Sequence, residues 1–268
     1  MYAYEITETS KSALLELGLS LKQYHNDMVL SGGWAPYFIT QDFFEHCGSI
    51  DIDLVLRTKI MPRYESIRKT AVGLGYSAEN EFRFNRIIRS HVDNRDYEIH
   101  LDFLCDKIGT EDLLKVQPDL EAFMFPGMDI AFDFNFEQEI EAVLPGNGSA
   151  ITTFKVLDLV GSLALKGQAL NGRFKQKDAY DVFALTHLDD GPENAAKYFN
   201  RAVSGAKIST EKQKLLAHSV SVIREKFKDP SQVGPFQVES FTDGKFRRSV
   251  VAAQVNQFLD GLNVPFFK

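Results

Sequence analysis

The stretch Gly48-Ser49-Ile50-Asp51-Ile52-Asp53-Leu54-Val55-Leu56 alternates with period two, as a β-strand does. Ile50, Ile52, Leu54 and Leu56 take one face; Asp51, Asp53 and Val55 take the other. Carboxylates at i and i+2 on a strand stand about 6–7 Å apart at the backbone. Like charges that close repel unless positive charge sits between them. A hard divalent cation, Mg²⁺ or Mn²⁺, fills that role and keeps substrate phosphate as a further ligand. The solvated face of an edge strand would show the same pattern, so the neighbouring sequence decides.

Upstream, the apolar run Met28-Val29-Leu30 enters Ser31-Gly32-Gly33, and Ala35–Phe44 then reads as a helix. A strand, a glycine turn and a helix start present backbone N–H groups that suit a phosphate. An ordinary tight turn is the competing reading. Residues 8–24 have helical spacing through Leu14, Leu15, Leu17, Leu19 and Leu21. Downstream, Met61–Gly73 reads as a helix with Pro62 in its first turn. Glu81–Ser90 and Asp96–Leu104 read as a hairpin turning at Asp93-Asn94-Arg95. In its second strand Ile99, Leu101 and Phe103 oppose Glu98, His100 and Asp102, so Asp102 supplies a third carboxylate. Asp129–Phe136 alternates like a strand, and Pro145-Gly146-Asn147-Gly148-Ser149 is a loop.

Beyond that loop the periodicity becomes helical: 153–170, 176–188, 192–204, 209–228 and 245–262. The expected organisation is therefore α+β, with a mixed sheet and flanking helices over 1–150 and a helical domain over 151–268. Val156, Leu159, Leu163, Lys166 and Leu170 form one helical stripe in which only Lys166 is polar. A lysine so placed either snorkels from the stripe's edge or holds an ammonium toward a polyphosphate. Asp178 shares a face with Val182 and Leu185, while Asp181 lies four residues after Lys177 and suits a simple ion pair.

The chain has 268 residues, 44% apolar and 25% charged, which excludes wholesale disorder and collagen-like or coiled-coil classes. No apolar run approaches the ~18 residues of a membrane span. The first residues lack a basic segment followed by an apolar one, so no secretory signal and a cytoplasmic location are expected. Cys47 and Cys105 make neither a disulfide framework nor a metal-site spacing. A formal charge of −7 argues against non-specific coating of nucleic acid, although a local basic surface is compatible with it. Twenty-two phenylalanines against one tryptophan foretell a phenylalanine-rich core.

Taken in order, LSGGWAPYF (30–38), GSIDIDLVL (48–56), HLDFL (100–104) and LALKGQALNGRFKQKDAYDVFAL (163–185) resemble nucleotidyltransferases of the DNA polymerase β superfamily. Within it the chain is most similar to the AbiEii-like toxins of type IV toxin–antitoxin systems. The resemblance covers roughly residues 25–190. It implies that Gly32, Gly33 and Ser49 contact the triphosphate, that Asp51, Asp53 and Asp102 bind Mg²⁺ or Mn²⁺, and that Lys166, Lys177 and Asp178 serve the nucleotide. Asp51, Asp53, Asp102 and Lys166 are then the catalytic set. One departure is Cys47, where related toxins often carry arginine, so the resemblance does not specify the nucleotide.

The implied reaction moves NMP from an NTP to an acceptor hydroxyl and releases pyrophosphate. The leading acceptor is RNA, at a tRNA 3′ end, with a cognate antitoxin as a further partner and no membrane partner. It calls for basic surface from Arg57, Lys59, Arg63, Arg68 and Lys69, from Arg83, Arg86, Arg89 and Arg95, and from Lys245, Arg247 and Arg248. Two other readings stay open. The acceptor is a small molecule, as in aminoglycoside nucleotidyltransferases, or a protein hydroxyl; or the chain is a catalytically silent binding module of the same fold.

Overall fold

The computed structural model describes residues 1–267, which form two compact units. One gathers residues 2–35 and 47–157; the other gathers residue 1, residues 36–46 and the described residues from 158 to 267.

The first unit opens with α1 (Tyr4–Ser20), then β1 (Met28–Leu30) and the start of α2 (Trp34–Thr40), whose remainder clusters with the second unit. It continues through β2 (Asp51–Leu56), α3 (Ile67–Gly73), β3 (Ser77–Ala78), β4 (Arg83–Arg89) and β5 (Asp96–Asp106). β6 (Leu113–Gln117), β7 (Leu120–Phe125), β8 (Asn135–Val143) and β9 (Ser149–Leu157) complete it. The strands form one mixed sheet in the order β3-β4-β5-β2-β1-β9-β8, with β7 also pairing β5, and β6 pairing β7. β2 sits centrally because Ile52, Leu54, Val55 and Leu56 are all buried; such a continuous apolar run suits a strand covered on both faces. α1 covers part of the sheet with Ala13, Leu14, Leu15 and Leu17, and Gly18 lets it approach β9 closely enough that a Cβ there would lie 2.5 Å from Phe154. The hairpin foreseen from 81 to 104 is β4–β5, turning through Asn94 at φ 58°. The phenylalanine-rich core is present in both units: Phe84, Phe103 and Phe154 in one, Phe183, Phe199, Phe227 and Phe258 in the other.

Four expectations give way to the structure. The helix expected over 61–73 begins only at Ile67, where Ser66 caps it by accepting from the Lys69 N–H; before that, Met61 and Tyr64 face solvent and offer no buried stripe. Asp129–Phe136 is largely a 3₁₀ turn (Met128–Phe132) following Gly127 at φ 78°, with β8 starting at Asn135. Residues 153–157 belong to β9, where Thr152, Phe154 and Val156 alternate inward and pair β8; the helix starts after Asp158. The second unit also contains a helix over Val233–Phe241 that its Gly-Pro pair concealed.

That unit consists of α4 (Leu159–Gly172), α5 (Gln176–Leu185), α6 (Pro192–Gly205), α7 (Thr210–Phe227), α8 (Val233–Phe241) and α9 (Arg248–Asp260). Asp158 caps α4 by accepting from the Val160 and Gly161 N–H groups. Gly167 permits close packing of α4 on α7, since a Cβ there would sit 2.5 Å from Ser219, whose hydroxyl donates to the Ala164 carbonyl at 2.6 Å. Among the described residues no helix is long and apolar enough to cross a membrane.

Candidate active site

β2 and β5 are parallel neighbours in which Asp53 is the direct partner of Asp102, and Asp51 that of His100. Partners in a parallel pair project to the same face, with strands about 4.8 Å apart. Asp51, Asp53 and Asp102 therefore share one sheet surface. Immediately beside them, β1 runs into the glycine turn, tied back by the Ser31 N–H donating to the Asp53 carbonyl at 2.9 Å. Gly32 has φ +64°, and a Cβ on it would overlap the Asp53 carboxylate. Only glycine satisfies both conditions. The turn thus brings bare backbone against the Asp53 carboxylate. Gly48 is a second left-handed glycine, at φ +68°, packed on Thr7, and Ser49 after it is buried. α2 is only seven residues long, so its dipole adds little to anion binding.

Asp102 has a partner that the sequence reading assigned elsewhere. Arg83, opposite it in the antiparallel β4–β5 pair, donates from Nε to Asp102 Oδ1 at 2.7 Å and from Nη2 to Oδ2 at 2.5 Å. These charge-assisted bonds to Asp102, with Asp51 adding to the field, raise the guanidinium's pKa further above its ordinary value. Arg83 thus faces an acid on the sheet and does not belong to the expected basic surface. Counting back from the 90–95 turn in antiparallel register would have set it against Asp102.

The three carboxylates have the hard-oxygen chemistry that Mg²⁺ or Mn²⁺ requires, and the missing Gly32 side chain leaves room at Asp53. The donor set therefore fits a divalent ion. As the side chains stand, no group of three His, Cys, Asp or Glu among the described residues is gathered closely enough to hold one. Asp102 is held instead by the Arg83 fork.

Lys166, Lys177 and Asp178 are brought together in the helical unit, in a buried ionic network. The Lys166 ammonium lies 2.9 Å from Asp178 and 2.6 Å from Asp181; Lys177 donates to Asp181 at 2.8 Å. Arg173 makes a fork on Asp178, at 2.8 Å from Nε and 3.1 Å from Nη2. His46 Nε2 lies 3.0 Å from Asp181 Oδ1. Burial pushes the Asp181 carboxyl up, but Lys166, Lys177 and His46 outweigh it and hold the acid far below its usual range. Lys166 moves the other way: burial lowers it, and the two aspartates more than restore it. His46 is brought down to about 4, by burial first, so it is neutral at physiological pH. The Lys177–Asp181 pair expected from i,i+4 spacing is present, and Lys166 is a buried cation between two acids. His46 lies 135 residues from its partner and had no local signal.

Most of the other cations proposed as a basic surface are neutralised. Arg86 pairs with Glu16, Arg89 with Asp96, Arg95 with Asp93, Lys245 with Glu45 and Arg248 with Glu239. Arg57 lies over Phe132 and Arg68 over Phe84, while Arg63 pairs with Asp27. Among the described residues Lys59 and Lys69 have no ion-pair partner, and the same segment exposes Tyr64 almost completely.

No family model matches the chain, and no curated protein sequence does. Among solved structures it is similar to JHP933 from Helicobacter pylori, at 13% identity and a TM-score of 0.47, over 97% of this chain and 92% of that one.

Proposed function

We propose that the protein is a metal-dependent nucleotidyltransferase of the polymerase β kind, resembling the AbiEii-like toxins, that moves NMP from an NTP to a hydroxyl of RNA. The observation that carries this reading is the shared face of Asp51, Asp53 and Asp102 beside the left-handed Gly32. Asp51, Asp53 and Asp102 would hold a divalent cation, which when bound would offset charge on the triphosphate and the departing pyrophosphate. The glycine turn and Ser49 hold the phosphates in line with the acceptor. The acceptor oxygen bonds to the α-phosphorus as the bond to the bridging α–β oxygen breaks, and Asp102 takes the hydroxyl proton. Within the helical unit, Asp178 and Asp181 hold the Lys166 and Lys177 ammoniums rigid.

RNA as acceptor is supported by the segment between β2 and α3 and the first turn of α3, where Lys59, Tyr64 and Lys69 offer unpaired charge and an exposed ring to a strand. A second reading has its own observation. The pairing of Arg86, Arg89, Arg95, Lys245 and Arg248 with acids leaves little continuous basic surface, which favours a small cationic acceptor such as an aminoglycoside. The test incubates purified protein with Mg²⁺, each α-labelled NTP, and either total tRNA or aminoglycosides. Label is expected on RNA and is expected to vanish in Asp51→Ala and Asp53→Ala. Label on the aminoglycoside alone would select the second reading. No transfer, together with no binding of metal or nucleotide, would overturn both.

A further inference from the structure

We infer that Arg83 is an internal counter-cation that competes with the divalent ion for Asp102, and so sets how readily the carboxylate face is loaded. The inference rests on the proposed reading of that face. Its own warrant is the fork: two guanidinium hydrogen bonds, at 2.7 and 2.5 Å, one to each oxygen of Asp102. A fork takes the side on which a carboxylate chelates a cation and leaves only the outer lone pairs.

The register makes the contact a consequence of the fold. Arg83 is the β4 partner of Asp102, and Asp53 is its β2 partner, so the three lie in one row across the sheet. Asp102 must therefore choose between neighbours on its two sides: the guanidinium across β4, or a cation shared with Asp53 across β2. The Asp102 side chain is 7% exposed and that of Arg83 is 37% exposed. The carboxylate is thus fixed in place, while the guanidinium has solvent to move into. When a cation enters, Arg83 is the group that yields. In the unloaded protein it screens carboxylates that would otherwise repel across neighbouring strands. Arg83 is a positioning residue: it acts on the reaction through Asp102.

The experiment measures Mn²⁺ affinity by electron paramagnetic resonance on the full chain, without nucleotide or turnover, for wild type, Arg83→Gln, Arg83→Lys and Asp53→Asn. Arg83→Gln is expected to bind Mn²⁺ tighter by on the order of two- to fivefold, the scale of a partly exposed pair. Arg83→Lys, which keeps the charge but not the fork, is expected to fall between it and wild type. Thermal unfolding with and without Mn²⁺ checks folding. Arg83→Gln is expected to melt lower than wild type without the ion and to gain more on adding it.

If wild type binds Mn²⁺ in an Asp53-dependent way and Arg83→Gln binds equally or more weakly, Arg83 is no competitor, and the transferase reading stands. If neither protein binds Mn²⁺, the competition is refuted along with the metal site. Binding by Arg83→Gln alone would be the strongest support for competition.

Discussion

Replacing Asp181 by asparagine keeps the shape of the side chain and removes one charge from the buried network. Three contacts are affected: Lys166 at 2.6 Å, Lys177 at 2.8 Å and His46 at 3.0 Å, all to a carboxylate with no exposed surface. The pocket then keeps two ammoniums and a guanidinium, with Asp178 as the one remaining carboxylate of the pair. Breaking one side of a buried pair costs about 3–5 kcal/mol, because the surviving charge has no water to return to. Arg173 gives the internal comparison. Its side chain is 56% exposed, so Arg173→Ala, on the periphery of the same network, should cost no more than about 1 kcal/mol. Urea unfolding followed by far-ultraviolet circular dichroism measures both variants, and a Lys177→Met/Asp181→Leu double variant should recover much of the loss. A loss under about 1 kcal/mol for Asp181→Asn would refute the idea that this cluster is dry and mutually dependent.

Gly32→Ala should lose about 1–3 kcal/mol, since it forces a side chain into φ +64° and onto the Asp53 carboxylate; thermal unfolding checks the stability, and Mn²⁺ titration should show weaker binding. Two buried groups give opposed pH dependences. His46 is held at about 4 against 6.5, so the folded state binds fewer protons and stability of about 3 kcal/mol is lost as pH falls from 6.5 to 4. Asp158 is raised by burial from 3.8 to about 6, so the folded state binds more protons and a similar amount is lost as pH rises across that interval. Asp158→Asn, which keeps a good helix cap, should match wild type near pH 4 and be the more stable by about 3 kcal/mol at pH 7; equal stability at both pH values would contradict the shift. Lys59→Glu and Lys69→Glu should each weaken binding to single-stranded RNA and lower its salt slope by about one phosphate contact, measured by fluorescence anisotropy across a salt series.

The carboxylate face was legible because strand alternation is a local property: Asp51 and Asp53 lie within one strand, and Asp102 follows the same rule in its own. What local pattern lacked was register. The partnership of Asp53 with Asp102 is fixed by pairing between strands far apart in sequence, whereas that of Arg83 with Asp102 follows from the register of the β4–β5 hairpin, which composition alone does not state. The helix read through Val156 failed because Val156 happens to extend the stripe of Leu159 and Leu163. Asp158, a strong helix start, marked the true beginning. Residues 129–136 alternate in composition, yet follow a left-handed Gly127 that turns the chain into a 3₁₀ segment. His46 was invisible for a different reason: it belongs with the helical unit through Asp181, and nothing in its neighbours announces a contact so distant in the chain.

The central claim is that the carboxylate face loads a divalent ion, and anomalous diffraction from crystals soaked in Mn²⁺ and a non-hydrolysable NTP addresses it directly. The account predicts an anomalous peak between the Asp51 and Asp53 side chains, with Arg83 drawn off Asp102 and triphosphate density over Gly32. Peaks confined to other acidic side chains, with Asp51 and Asp53 bare, would contradict it.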